Sequence, residues 1–262
     1  MRNKDVSGGG GGVATEIPIR TLEEIARIAE AGKLAGQLRR ELGRKVKPGV
    51  TTMQLNQFAH QYMKEKGASP AQLGYYGYPH AICAAVNDCV CHGMPDDRPL
   101  RQGELVTLDF VVELNGWMAD TAWTFAVGAV SDEAKRLRKA AYEAMMQGIA
   151  QTKAGRTIGD IAAAVGRVAE KEPHGIVSMF GGHGIGRVMH EPPEVSYVGK
   201  ARTGRRLKEG MVITIEPMLT IGSPDVYIGE DGWSVFTLEG GWAAQFEHTV
   251  AITSEGPVIL TK

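Results

Sequence analysis

Two stretches of this sequence share a nine-residue pattern that ends in an acidic side chain. Residues 101–109 read Arg-Gln-Gly-Glu-Leu-Val-Thr-Leu-Asp, and residues 208–216 read Lys-Glu-Gly-Met-Val-Ile-Thr-Ile-Glu. Position by position, both are basic, polar, Gly, variable, apolar, apolar, Thr, apolar and acidic. We interpret the match as the trace of an internal duplication, so Asp109 and Glu216 are expected to face one shared site.

A predicted hairpin brings a second acid close to the first. The Asn-Gly pair at 115–116 is a strong signal for a type I′ turn between two apolar-rich runs. A two-residue loop places Asp109 opposite Ala122 and Val111 opposite Asp120. Asp109 and Asp120 are then diagonal neighbours on one face, roughly 7–8 Å apart at the backbone. Their carboxylates can therefore converge on one ion.

Two further residues extend this set. Glu247 lies in the apolar run 244–252, and His183 lies in the Gly-rich run 181–186. Taken singly, a strand acid is more often an exposed edge residue or half of an ion pair, and a lone histidine is more often a satisfied one. The duplication favours a shared site instead, because it makes two of the acids equivalent by position.

Four converging carboxylates require cations. A buried, unpaired carboxylate is costly, so it is protonated, paired or metal-bound, and like charges about 4 Å apart repel by ~4 kcal/mol at an effective dielectric of ~20. Neither Lys nor Arg occurs in these strands, so two divalent ions would balance the four acids. Oxygen ligands with one imidazole suit Mn, Fe(II), Co or Zn. Two such ions roughly 3.5–4 Å apart share a bridging hydroxide and clamp a tetrahedral intermediate, which predicts metal-assisted hydrolysis.

Two other interpretations of these motifs are weaker. The spacing of residues 181–186 is similar to a dinucleotide fingerprint, but it lacks a following helix and an acid about 20 residues further on. A zinc site at Cys89 and Cys91 lacks a second Cys/His pair at suitable spacing, and small buried hydrophobes are the better interpretation.

Hydrophobic spacing and capping signals predict two helix pairs that precede the acidic strands. These helices are expected from a capping box at Thr21 to Gly43, from 51 to Gly67, from Ser131 to about Lys153, and from a capping box at Thr157. Residues 81–91 are strand-like. The aromatic loop 68–80 either lines a pocket or packs as an ordinary loop. Near-constant offsets between matching motifs indicate two copies of a helix–helix–strand unit.

The two copies are expected to form one domain. We predict a flexible Gly-rich tail at 1–16 and a single catalytic domain at 17–262, with internal halves of about 21–130 and 131–262. The 262 residues carry a formal net charge of −1 and 43% hydrophobic residues, which is typical of a globular protein without a polyanion partner. There is no apolar run of the ~20 residues that a membrane helix needs and no secretory signal. Three closely spaced cysteines fit a reducing cytoplasm.

The chemistry-bearing motifs, in this order, strongly resemble those of a type I methionine aminopeptidase. They are Cys91-His92-Gly93-Met94-Pro95, Leu108-Asp109-Phe110, Ala119-Asp120-Thr121, Gly182-His183-Gly184-Ile185-Gly186, Ile215-Glu216-Pro217-Met218 and Gln245-Phe246-Glu247-His248-Thr249. The resemblance implies the pita-bread fold, an α/β (α+β) architecture with pseudo-twofold-related halves around a curved antiparallel sheet. It also implies removal of the initiator Met from nascent polypeptide N-termini whose second residue is small.

The same resemblance assigns roles to individual residues. Two divalent metal ions would be held by Asp109, Asp120, His183, Glu216 and Glu247. The catalytic residues would be His92 at the scissile nitrogen, His190 at the carbonyl oxygen and, as our hypothesis, Glu216 as proton shuttle. The Met pocket would be lined by Tyr75, Tyr78, Cys83, His92 and Trp233. Gln72 and Met189 depart from the pattern at pocket-side positions where Cys and an aromatic are common.

The resemblance also implies a cytoplasmic monomer without nucleic-acid specificity or a membrane anchor, and it is compatible with a transient ribosome contact. Two rival functions stay open at this point. A Xaa-Pro aminopeptidase or prolidase shares the fold but usually carries an extra N-terminal domain, for which the chain has no room. A non-catalytic pita-bread binding module would have lost its metals, whereas all five expected ligands and both histidines are present here.

Overall fold

The computed structural model describes residues 16–262. The predicted tail at 1–16 lies outside the described residues except for Glu16. The helices are α1 (Leu22–Lys45), α2 (Thr52–Glu65), α3 (Asp132–Gln151) and α4 (Ile158–Ala169). The strands are β1 (Ser69–Pro70), β2 (Cys83–Val86), β3 (Cys89–Cys91), β4 (Leu105–Leu114), β5 (Trp117–Ala126), β6 (His174–Ile176), β7 (Gly182–Gly184), β8 (Glu191–Val195), β9 (Val212–Ile215), β10 (Met218–Ile221), β11 (Val226–Ile228), β12 (Val235–Thr237), β13 (Ala243–Gln245), β14 (His248–Thr253) and β15 (Gly256–Ile259).

The helices begin where the capping signals predict. Thr21 and Thr157 each accept a backbone N–H in a complete capping box, with Glu24 and Asp160 as the reciprocal partners. Such a cap satisfies two backbone donors that a helix N-terminus otherwise leaves unpaired. The predicted end of α1 at Gly43 is wrong, because the helix continues to Lys45.

Gly43 serves close packing instead of helix termination. A Cβ at this position would stand 2.6 Å from a ring carbon of Phe125, closer than atoms can pack. The missing side chain therefore lets α1 lie directly against β5.

The predicted strand at 81–91 also differs, because a turn at Asn87 divides it into β2, which pairs with β4, and β3, which pairs with β12.

The hairpin register is confirmed. Strands β4 and β5 pair antiparallel with Leu114 opposite Trp117, Val111 opposite Asp120 and Asp109 opposite Ala122. Asn115 and Gly116 have φ values of 53° and 76°, which is the backbone that a type I′ turn requires. The local Asn-Gly signal thus determines which residues of two ten-residue strands share a face.

The second half of the chain repeats this arrangement with interrupted strands. Strand β9 pairs with β14 and β10 pairs with β13, all antiparallel. Strands β5 and β14 lie side by side: the N–H of Asp120 donates to Thr249 Oγ1 at 2.9 Å, and the N–H of Glu247 donates to the Ala122 carbonyl at 2.9 Å. These contacts join the halves, whose boundaries stay a prediction.

Each helix pair covers one part of the sheet structure. Helices α1 and α2 form a core with β4 through residues such as Leu38 and Phe110, and α3 and α4 form a second core through Leu137 and Ile215. Fully burying one such side chain contributes about 1.5–3 kcal/mol. Within residues 16–262 there is no helix of the length and apolar character needed to cross a membrane. This mixed helix and antiparallel-strand architecture leaves the acidic strands between the two cores.

Candidate metal centre

The five predicted ligands come from different strands that meet between the halves. Asp109 lies on β4, Asp120 on β5 and His183 on β7, whereas Glu216 and Glu247 lie at the short breaks between β9 and β10 and between β13 and β14. Three of the four acidic residues, Asp120, Glu216 and Glu247, are buried at no more than 7% exposure, and Asp109 is half-buried.

The ligand atoms converge on one small volume. His183 Nε2 is 3.6 Å from Glu216 Oε1 and 3.8 Å from Asp120 Oδ2. One ligand atom each of Asp120, His183 and Glu247 lies within 4.8 Å of the other two. Asp109 lies on the adjacent strand, diagonal to Asp120 in the register of β4 and β5. The structure therefore brings all five predicted residues to one place.

The tautomer of His183 suits a metal ligand. Its Nδ1 lies 3.0 Å from the carbonyl oxygen of Gly184, and a carbonyl can only accept, so Nδ1 carries the proton. The lone pair on Nε2 then faces Asp120 and Glu216 across gaps too long for hydrogen bonds. Two ligands each about 2.1 Å from one ion, at a tetrahedral angle, are about 3.4 Å apart. The observed spacing is close to that value.

Unpartnered oxygens give an independent test of whether cations fit. Asp120 Oδ1 and Glu247 Oε1 are buried and have no hydrogen-bond partner among the described residues. Buried polar atoms are nearly always satisfied, and leaving one unsatisfied costs about 1–3 kcal/mol, more for a charged group. Divalent cations would be coordinated by both oxygens, so the residues present fit a metal site.

Burial dominates the electrostatics of this centre. It raises the pKa of Asp109, Asp120, Glu216 and Glu247 above their ordinary values, and repulsion among the carboxylates raises the pKa of Asp120 and Glu247 further. Burial also lowers the pKa of His183 to about 3, which keeps the imidazole neutral. Without cations, the four carboxylates cannot all ionise together.

Hydrogen bonds that sequence analysis did not identify hold Glu216. Thr214 Oγ1 donates to Glu216 Oε1 at 2.6 Å and accepts the N–H of His183 at 2.9 Å. Gln245 Nε2 donates to Glu216 Oε2 at 3.3 Å, and the Tyr197 hydroxyl accepts the Glu216 N–H at 2.7 Å. In the repeated pattern a threonine lies two positions before each acid, and this spacing is a sequence signal for the contact between Thr214 and Glu216. No local pattern indicates Tyr197.

The other strands are held by threonines. Thr249 Oγ1 donates to the Asp120 carbonyl, and Thr121 Oγ1 donates to the Glu247 carbonyl, both at 2.9 Å. These reciprocal contacts cross the junction of β5 and β14. They fix the backbone that carries two of the acids, and partners of this kind orient ligands for metal binding.

The two other histidines predicted to belong to the site, His92 and His190, lie beside aromatic residues. His190 Nδ1 is 2.8 Å from the hydroxyl of Tyr75, and its ring centroid is 4.3 Å from that of His183. His92 has a left-handed backbone with φ of 54°, and its ring packs edge-on against Phe180. Phe180 is not among the site residues predicted from the sequence. Burial lowers the pKa of His92 to about 4, so its ring is neutral.

The predicted pocket residues form two contacts near these histidines. Tyr78 packs against Trp233 with ring centroids 5.0 Å apart, while its hydroxyl donates to a backbone carbonyl at 3.0 Å. Cys83 pairs in register with Asp109, and Gln72 Nε2 lies 3.4 Å from the Cys83 sulfur.

Gln72 and Met189, the two departures from the family pattern, are both buried. Gln72 Oε1 accepts the Val111 N–H at 3.3 Å, which fixes the amide against β4. Met189 is 5% exposed and belongs to a core cluster with Trp117 and Ile185.

A comparison with protein families gives this centre its class. The model of metallopeptidase family M24 matches residues 26–254. That span contains all five converging side chains, helices α2, α3 and α4, and α1 from residue 26 onward. The chain therefore belongs to metallopeptidase family M24, whose members use divalent metal ions.

Within that family the chain falls among the methionine aminopeptidases. A methionine aminopeptidase of Rickettsia prowazekii is 42% identical over 246 residues, which cover 94% of this chain and 95% of the relative. Its crystal structure superposes with a TM-score of 0.93 and covers 94% of this chain and 100% of that one. An Xaa-Pro dipeptidase from Bacillus anthracis has 26% identity and a TM-score of 0.74, with 62% of its chain covered. The predicted fold class and family are thereby confirmed.

Proposed function

We propose that this protein hydrolyses the peptide bond after an N-terminal methionine when the second residue is small. The observation that carries the proposal is the convergence of His183 with the Asp120 and Glu247 carboxylates. Two oxygens of these carboxylates are buried and have no hydrogen-bond partner within residues 16–262. The similarity to methionine aminopeptidases supports the substrate class. The nascent polypeptide N-terminus is the proposed partner, in the cytoplasm and with a transient ribosome contact.

Two divalent ions would be held by the five converging groups. The residues that would hold them are Asp109, Asp120, His183, Glu216 and Glu247. The donor set of oxygens with one imidazole suits Mn, Fe(II), Co or Zn. When bound, the ions supply Lewis acidity, which lowers the pKa of water and stabilises developing negative charge.

Glu216 is the proposed proton carrier. One of its oxygens accepts from Thr214 and the other from Gln245, so the carboxylate plane is fixed at the centre. In hydrolysis, water adds to the scissile carbonyl carbon and loses a proton, which Glu216 would take up. The C–N bond then breaks, and the same proton would pass to the leaving amine nitrogen. A carboxylate in this role typically contributes about 10²–10⁴-fold.

His190 and His92 would orient the scissile amide. If the Tyr75 hydroxyl donates to His190 Nδ1, the His190 proton lies on Nε2, which can donate to the scissile carbonyl oxygen. The neutral ring of His92 would contact the scissile nitrogen. Both groups act by hydrogen bonding, and a donor of this type is worth about 10²–10³-fold when negative charge develops on the oxygen.

The methionine side chain would bind among Tyr75, Tyr78, Cys83, His92 and Trp233. The edge-to-face pair of Tyr78 and Trp233 offers an apolar wall, and aromatic rings make favourable contacts with a thioether sulfur. Because the Tyr78 hydroxyl is tied to the Gly93 carbonyl, the wall is rigid. Gln72, which departs from the family pattern, contacts the sulfur of the pocket residue Cys83.

The proposal is tested by peptide cleavage with purified protein. Met-Ala-Ser should be cleaved when Mn²⁺ or Co²⁺ is present, and chelator should abolish cleavage, whereas an Xaa-Pro peptide should be left intact. Cleavage of only the Xaa-Pro peptide would make the chain a prolidase-like enzyme. Failure to take up metal would make it a binding module of the same fold. Anomalous scattering from a crystal grown with Mn²⁺ would count the ions directly.

A further inference from the structure

In the turn that carries His190, Met189 packs into the core, but the residues on either side of it are exposed. The turn connects β7 to β8, and Arg187, Val188 and His190 are all exposed. Within residues 16–262, its internal backbone hydrogen bond, from the Gly186 N–H to the Val188 carbonyl, is long at 3.3 Å. Exposed backbone on either side of a single buried side chain needs further contacts to hold it in place.

The Glu191 carboxylate closes this turn. Its Oε1 accepts the N–H of Arg187 at 2.9 Å and the N–H of Val188 at 3.3 Å. Glu191 directly follows His190, so the same short segment supplies both the imidazole and the group that fixes its backbone. The remaining oxygen, Oε2, faces into the protein.

Arg20, which precedes α1 and is far away in sequence, orients that carboxylate. Its Nη2 forms an ion pair with Glu191 Oε2, and the two side chains are only 10% and 8% exposed. The backbone N–H of Arg20 donates to the Gly210 carbonyl at 2.7 Å, which anchors the residue to the turn that precedes β9. A Cβ on Gly186 would stand 2.7 Å from the guanidinium, so Arg20 packs directly on the turn.

We propose that Arg20 is a positioning residue for cleavage, which acts through Glu191 to hold His190 at the scissile carbonyl. The inference rests on the proposed function, because it assumes that His190 contacts substrate. The Tyr75 hydroxyl contacts Nδ1 of the His190 imidazole, and the pair of Arg20 and Glu191 holds the backbone of the turn that carries it. A displacement of about 1 Å in a catalytic group can cost on the order of 10²-fold in rate.

A double-mutant cycle separates this role from simple stabilisation. Arg20→Met should lower kcat/KM for Met-Ala-Ser by about 10–100-fold, mainly through kcat. In a His190→Ala background the same change should alter kcat/KM by less than about twofold, because the group being positioned is gone. The matched control is Arg27→Met, which breaks an exposed Arg–Glu pair in the first turns of α1 and should change neither background.

Two companion measurements keep the test decisive. Arg20→Lys retains the charge and should restore part of kcat. Hydrogen exchange of the Arg187 and Val188 amides should accelerate in Arg20→Met, or in Glu191→Gln if Arg20→Met fails to fold, but not in Arg27→Met. This second readout does not depend on activity.

Each outcome has a defined meaning. Equal losses of kcat/KM in both backgrounds, or unchanged amide exchange, would overturn the inference, because Arg20 would then act without His190 or without the turn. An inactive wild-type protein with all metals would instead contradict the proposed function, and the exchange experiment would still decide whether Arg20 fixes the turn.

Discussion

Replacing Thr214 with valine would remove one hydroxyl that touches two of the proposed ligands. Thr214 Oγ1 donates to Glu216 Oε1 at 2.6 Å and accepts the N–H of His183 at 2.9 Å. Thr214 is fully buried, and valine has nearly the same shape. Packing should therefore persist while both hydrogen bonds are lost.

The size of the effect follows from these two contacts. Loss of an outer partner that orients metal ligands typically lowers metal affinity about 10–100-fold. The His183 N–H is left without its acceptor, at a cost of about 1–3 kcal/mol in the free energy of unfolding. For a chain of this size that corresponds to a fall of roughly 2–10 °C in Tm. Metal affinity and Tm of the metal-free protein should both decrease.

The internal repeat supplies a matched control. Thr107 occupies the position equivalent to Thr214, is also buried, and forms a 2.7 Å hydrogen bond with Thr124 Oγ1 instead of with an acid. Thr107→Val should therefore lower Tm without weakening metal binding. Thr214→Ser, which keeps the hydroxyl, should retain affinity.

Competition between protein and a chelating dye for Mn²⁺ measures the affinities, and calorimetry measures Tm. If Thr214→Val and Thr107→Val weakened Mn²⁺ binding equally, the direct role of the Thr214 hydroxyl would be refuted. An unchanged affinity in Thr214→Val would refute it as well.

Three further predictions concern other parts of the molecule. His92→Ala should leave metal binding nearly intact and lower kcat by about 10²–10⁴-fold; wild-type kcat would remove His92 from the reaction. Gly36→Ala should lower the free energy of unfolding by about 1–3 kcal/mol, because an added Cβ would overlap the Lys262 carbonyl oxygen. At Gly166 an added Cβ would meet no described atom within 4 Å, so Gly166→Ala should raise the free energy of unfolding by about 0.4–1 kcal/mol. Urea unfolding measures both changes. Equal effects of the two changes would contradict this packing. Chelation should lower Tm, and Mn²⁺ at about 100 times Kd should restore about 2.7 kcal/mol to the free energy of unfolding. A Tm that does not change when Mn²⁺ is added would contradict a metal centre.

Local signals in the sequence predicted the parts of the fold that depend on neighbouring residues. The Asn-Gly turn at 115–116 determined the register that places Asp109 beside Asp120 on one face. Capping boxes at Thr21 and Thr157 marked helix starts because the side chain and the amide that it caps lie three residues apart. These features need no knowledge of the rest of the chain.

Features that depend on distant contacts were not predictable in the same way. The local pattern predicts a helix end at Gly43, whereas its missing side chain makes room for Phe125, 82 positions further along the sequence. Tyr197, in the loop after β8, and Gln245, on β13, both support Glu216, and Arg20 reaches Glu191 across most of the chain. Each of these partners is an ordinary residue in its own sequence context, so only the fold reveals its role.

The predicted duplication accounts for a metal centre that lies at the junction between the two predicted halves. The first half supplies Asp109 and Asp120, and the second supplies Glu216 and Glu247. Either pair alone would be two acids on one open sheet face, where water could solvate them. Packing the halves together removes that water and leaves buried oxygens without partners, which destabilises the metal-free chain. Cation binding then offsets the cost of closing the two halves, so assembly of the fold and assembly of the hydrolytic site should depend on the same ions.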